Sequence, residues 1–115
     1  MNSEQLARFI ARLSFDKKAE DVVIMDVREL TNIADYFVVC SGDSDVQIRA
    51  IGDYVCDELK KSSVKIWHIE GKNSSNWVLV DLVDVIFHIF RPEAREFYGL
   101  EKFWGDARIE KMEEL

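Results

Sequence analysis

The sequence predicts an α+β fold, α/β-like in part: a mixed five-stranded sheet with two long helices packed on its apolar face. Three observations lead there. Residues 3–19 and 45–61 each carry one apolar stripe at helical spacing. Five short runs rich in β-branched and aromatic residues, at 22–27, 36–40, 65–70, 77–81 and 84–90, read as strands. The strand–helix–strand unit over 36–70 implies a parallel pair, whereas the two-residue link between the last two runs implies an antiparallel hairpin. The sheet is therefore mixed.

Taken in order, the first helix shows Leu6, Phe9, Ile10 and Leu13 on one face, with Ser3 placed to cap it. The strand at 22–27 (VVIMDV) and the strand inside ADYFVVCSG follow, and the SGDSD run breaks the second of them. Asp43 or Ser44 is the expected N-cap of the second helix, with Asp45 at its positive end and Lys60-Lys61 at its negative end. Its stripe is Ile48, Ile51, Val55 and Leu59, and Gly52 within it permits close packing. The run KIWHIE leads through the polar segment GKNSSN to the last two strands. After Phe90, Arg91-Pro92 suits the first turn of a short helix over 93–98, stopped by Gly99. The domain spans residues 1–107; the charged tail 108–115 frays or forms a weak helix through Ile109 and Met112.

The hairpin organises the chain. With Leu82-Val83 as its link, Asp81 faces Asp84, Val80 faces Val85, Leu79 faces Ile86, Val78 faces Phe87 and Trp77 faces His88. Alternation then puts Val78, Val80, Val85, Phe87 and Ile89 on one wholly apolar face, against the helices. The other face carries Trp77, Leu79, Asp81, Asp84, Ile86, His88 and Phe90. Large apolar groups mixed with carboxylates and an imidazole suit neither a core nor a solvated face. They suit a docking surface for another protein.

A chain of 115 residues, 48% hydrophobic and 32% charged, has the size and balance of one globular domain. Its net charge of −7 disfavours nucleic-acid backbone as a direct partner and favours a basic protein. Cys40 and Cys56 stand in strand-like and helix-like runs outside any CxxC pair, and read as buried thiols. No run is long enough to span a membrane, and the first residues lack the order of a signal peptide, so the cytoplasm is expected. Chemistry finds little purchase. Ser41-Gly42 lacks the flanking glycines of a phosphate loop, His68 and His88 lack metal-ligand spacing, and Asp81 and Asp84 only flank a turn. Nucleotidyltransferases also place a Gly-Ser turn before a helix, but use paired carboxylates on the next strand to hold metal. Here that strand offers only Glu70. Neither catalysis nor a cofactor or metal is expected.

One further pattern is specific. Ala34-Asp35-Tyr36-Phe37-Val38-Val39, Ser41-Gly42, Ser44-Asp45, Gln47 and Arg49-Ala50-Ile51 resemble the front half of the ribosomal silencing factor family, also called Iojap. The later half is closer: Glu70-Gly71, Trp77-Val78-Leu79 with Asp81, Asp84-Val85, His88 with Phe90, Pro92-Glu93-Ala94-Arg95, Phe97-Tyr98, Leu100-Glu101 and Trp104-Gly105-Asp106-Ala107. Leu82-Val83 departs from the family, whose members often place an aromatic or small residue and glycine at that turn. The resemblance implies a nucleotidyltransferase-like fold without the catalytic carboxylates. It also implies binding to the large ribosomal subunit through ribosomal protein fourteen, which blocks small-subunit joining and lowers translation when nutrients are scarce. Organellar relatives act in large-subunit assembly. The candidate partner-binding set is Trp77, Leu79, Asp81, His88 and Phe90, joined by Arg95, Glu96 and Tyr98 of the following short helix. An exposed patch of this kind also allows a homodimer of the free protein.

Overall fold

The computed structural model describes residues 1–74 and 76–114, so Ser75 of the polar segment and Leu115 of the tail lie outside the description. Among the described residues the order is α1 (Ser3–Phe15), β1 (Glu20–Asp26), β2 (Tyr36–Ser41), α2 (Asp45–Lys61), β3 (His68–Glu70), β4 (Trp77–Asp81), β5 (Val85–Phe90), α3 (Pro92–Tyr98), α4 (Leu100–Phe103) and β6 (Arg108–Lys111). The fold is α+β with a mixed sheet, as the patterning predicts. The sheet has six strands in the order β3-β4-β5-β2-β1-β6, not five.

The additional strand comes from the tail. Residues 108–111 neither fray nor form a helix; they pair antiparallel with β1, Ile109 opposite Met25. Three charged residues around one isoleucine give little strand signal, and it is the unpaired outer edge of β1 that recruits them. Arg8 of α1 ties this strand down with two bonds to Glu110, at 2.7 and 3.1 Å.

The parallel pair is also reassigned. β2 runs parallel to β5, while β3, among the described residues, pairs only with β4 and is separated from β2 by two strands. Burial explains the choice. β5 is almost wholly buried and needs a neighbour on each side, whereas the three residues of β3 are exposed, half-buried, exposed, which suits a sheet edge.

Helix ends follow local chemistry. Asn2, not Ser3, caps α1: its side chain accepts from the Gln5 N–H while the Gln5 side chain accepts from the Asn2 N–H. Ser44 caps α2 through the Gln47 N–H. α1 and α2 cover one face of the sheet, burying Ile10, Ile48, Ile51, Val55 and Leu59 against Val38, Val80, Phe87 and Ile89. A second, smaller core lies on the opposite face, where α3 and α4 bring Ala94, Leu100 and Trp104 over Met25, Phe37, Val39 and Phe90.

The hairpin register differs by two residues from the expected one. Trp77 pairs with Phe90, Leu79 with His88 and Asp81 with Ile86. Leu82 is the reason: it is buried in the helix-side core, so the strand continues through it and the turn moves to Val83-Asp84. The Leu82 N–H then donates to the Val85 carbonyl, and the Asp84 N–H to the Leu82 carbonyl, a γ-turn with Val83 at φ +75°. A shift of two leaves every side chain on its predicted face.

Candidate functional site

The second face of the sheet is built in rows. One row reads Glu70, Leu79, His88, Val39, Val23; the next reads His68, Asp81, Ile86, Phe37, Met25. α3, α4 and Trp104 cover the β1–β2 end of these rows. Among the described residues the β3–β4 end has no such cover. There Trp77, Leu79, Asp81 and Ile86 are half-buried, and His68, Glu70 and Asp84 are exposed. The mixed face is thus two regions, a small core and an open shelf.

Trp77 stands where the two regions meet. Its ring stacks on Phe90 at 4.8 Å and leans on Tyr98 at 4.8 Å. The sheet edge before it is set by Gly71, whose φ is +78° and where a Cβ would collide with the Trp77 carbonyl oxygen. The Trp77 indole N–H donates to Nδ1 of His88 at 3.2 Å. Although the two are not opposite each other in the ladder, the indole is long enough to cross to its diagonal neighbour. Indole nitrogen only donates, so Nδ1 accepts and the imidazole proton sits on Nε2. That Nε2–H is buried and has no partner among the described residues. His88 is 4% exposed, and burial pushes its pKa down to about 4, which keeps it neutral.

The other expected site residues separate into groups. Leu79 and Tyr98 line, with Trp77, Glu70, Gly71 and Asn76, a shallow groove of about 260 Å³ on the shelf. Asp81 is on the shelf too, where its carboxylate accepts from the Val83 N–H and shapes the turn. Glu96 is exposed on α3 and lines a different depression, with Arg95, Ser41 and Asp21, not the shelf groove. Three residues of the expected set turn away from the shelf. Phe90 is fully buried beneath Ala94, Leu100 and Trp104, and His88 is nearly so among the rings of Phe37, Trp77 and Phe90, so neither presents a surface to a partner. Arg95 is likewise turned inward: it binds both oxygens of Glu101, at 2.7 and 3.2 Å, and donates to Ser41 Oγ and the Asp21 carbonyl. It bolts α3 and α4 to the ends of β1 and β2.

Sequence reasoning placed Ile86 on the mixed face without counting it in the partner-binding set, and it passed over Glu70 and His68, which only the strand neighbours bring to the shelf. It also passed over Phe97 and Phe103, which are 81% and 79% exposed. A signal existed for Phe97: a seven-residue helix packing one face on a sheet cannot bury two adjacent aromatics.

The remaining chemical candidates are occupied by structure. At the Ser41-Gly42 turn, the Gly42 N–H donates to the Phe90 carbonyl, and Ser41 Oγ accepts from Arg95, so the turn has no free cradle for a phosphate. Cys40 and Cys56 are buried free thiols, and burial raises Cys40 to about 12. Among the described residues no three of the His, Cys, Asp and Glu side chains converge as a metal site, and no helix is long and apolar enough to cross a membrane.

The chain is similar to known proteins over most of its length. The family described as "Ribosomal silencing factor during starvation" matches residues 1–115. Ribosomal silencing factor RsfS of Bacillus subtilis (strain 168) is 37% identical over 113 residues, 98% of this chain and 96% of that protein. The Mus musculus protein named "Mitochondrial assembly of ribosomal large subunit protein 1" is 35% identical over 91 residues, 76% of this chain and 40% of that one. A crystal structure of a Chromobacterium violaceum protein superposes with a TM-score of 0.89 at 33% identity, covering 91% of this chain and 88% of that chain.

Proposed function

The chain belongs to the ribosomal silencing factor family, a family of regulators and not of enzymes, and from that premise we propose that it binds the large ribosomal subunit through ribosomal protein fourteen and sterically blocks small-subunit joining. The open shelf supports this reading. Trp77, Leu79, Ile86 and Tyr98 supply apolar anchors, and Glu70, Asp81 and Asp84 ring them with negative charge. Interfaces gain most from a few aromatic anchors in a partly desolvated centre. Acidic neighbours, in a chain of net charge −7, select a basic protein and repel bare RNA backbone. The complex forms in the cytoplasm and needs no nucleotide, because occupancy alone excludes the small subunit.

A second reading has one observation in its favour. The similarity to the mouse protein, by that protein's name, suggests a role in assembling the large subunit. The same shelf would serve both roles. They differ in timing, since an assembly factor acts on immature particles and a silencing factor on mature ones.

The decisive experiment is sedimentation of mature ribosomes with added protein and no nucleotide. Joined ribosomes should shift towards free subunits, with the protein travelling on the large subunit. Trp77→Ala should weaken that effect roughly thirtyfold, the usual scale for a truncated tryptophan anchor. Val78→Ala, on the buried face, should lower stability and leave affinity nearly unchanged. Dissociation that required ATP or GTP hydrolysis would overturn the steric mechanism.

A further inference from the structure

We propose that His88 is the positioning residue for the Trp77 anchor: by accepting the indole N–H from inside the fold, it selects which edge of the tryptophan meets the partner. The inference rests on the reading of Trp77 as an anchor and concerns how that anchor is held. The indole could pack between Phe90 and Tyr98 in two orientations related by a half-turn of its ring. Packing alone separates them poorly, because either would lay a flat aromatic surface on Phe90, whose ring lies 4.8 Å from the indole in the structure. The 3.2 Å bond to Nδ1 separates them sharply, since the flipped ring would leave Nδ1 without its donor inside the small core. His88 is itself fixed. It is 4% exposed, lies 6.0 Å from the parallel ring of Phe90, and meets Phe37 edge-on at 5.3 Å.

Two consequences follow for recognition. The only polar atom of the indole is spent inside the protein, so the edge of Trp77 towards the shelf is hydrocarbon. A partner therefore meets Trp77 through apolar or cationic groups packed on the ring, and the hydrogen bonding of the shelf falls to Glu70 and Asp81. His88 itself touches no partner. Its unpartnered, buried Nε2–H fits this reading: a histidine kept only for packing would be served as well by phenylalanine, which carries no buried donor to leave unsatisfied.

The test compares wild type, His88→Phe and His88→Asn in the full chain. Asparagine places Oδ1 near the position of Nδ1 and keeps the acceptor; phenylalanine fills the site and removes it. Hydrogen exchange of the Trp77 indole proton, read by NMR and assigned with Trp77→Phe, reports the bond. Affinity for the large subunit reports the anchor, and thermal melting reports the fold. The indole proton should be protected in wild type and His88→Asn and exchange freely in His88→Phe. His88→Phe should bind roughly five- to tenfold more weakly, the factor carried by one ordinary hydrogen bond, without melting lower. His88→Asn should recover most of that loss. An unprotected indole proton in wild type overturns the proposal, as does wild-type affinity in His88→Phe when Trp77→Ala binds poorly. Wild-type affinity in Trp77→Ala would instead overturn the anchor reading and this inference with it.

Discussion

His88 is buried with its imidazole neutral, and charging it in place is costly: burial alone holds its pKa at about 4, against 6.5 for an exposed histidine. The unfolded chain therefore takes up this proton more readily than the folded one. The contribution of His88 to stability is fully present above about pH 6.5 and is lost as pH falls towards 4, in total about 3 kcal/mol. Asp26 beside Arg28 and Glu110 beside Arg8 have their carboxyls held below the usual range, so their own losses come at lower pH. Denaturant melts at pH 7 and pH 4.5 should show a drop that is much smaller in His88→Phe. An equal drop in both would mean that His88 is protonated in the fold. Val83 is the other residue under tension: a β-branched side chain at φ +75° is strained, and it stands there because burying Leu82 moved the turn onto it.

At the scale of elements, the shelf exists because α3 and α4 cover only half of the sheet's second face, and Arg95 holds them there. Its side chain is 12% exposed and makes four hydrogen bonds, two to Glu101 and one each to Ser41 and Asp21. Truncation leaves the Glu101 carboxylate and the buried Ser41 hydroxyl short of partners. Arg95→Ala should cost about 3 kcal/mol of stability. It should also loosen α3, so that Tyr98 no longer buttresses Trp77. Thermal melting, with hydrogen exchange over residues 92–103, tests both statements. Faster exchange confined to those residues is the expected pattern, and unchanged exchange would assign the clamp elsewhere. Arg95 is thus important to the shelf without belonging to it, which no reading of its charge along the chain would suggest.

For the whole molecule, a net charge of −7 predicts how a basic partner is met. Long-range attraction accelerates encounter and is screened beyond about 8 Å at physiological salt. The association rate with isolated ribosomal protein fourteen should fall roughly tenfold or more between about 50 and 500 mM salt, while dissociation changes little. Stopped-flow mixing separates the two rates. A dissociation rate that carried most of the salt dependence would mean that buried ion pairs, not apolar anchors, hold the complex. Tight binding to protein-free ribosomal RNA would count against the acidic shelf altogether.

Much of this molecule is legible along the chain. Alternation over 77–90 assigns Val78, Val80, Phe87 and Ile89 to the helices and Trp77, Leu79 and Ile86 to the opposite face, and a register error of two leaves that assignment intact because the strand period is two. The helical stripes, the Ser44 cap and the stop at Gly99 are equally local, each set by residues within one turn of one another. The family, too, is carried by short motifs in order. The tertiary structure alone decided which strand lies beside which, that residues 108–111 complete the sheet, and that His88, Phe90 and Arg95 turn inward while Phe97 and Phe103 stay out. Those outcomes depend on competition among distant segments for the same sheet edge and the same patch of face. A side chain's pattern says which face it is on; what covers that face is settled only by the segment that wins it.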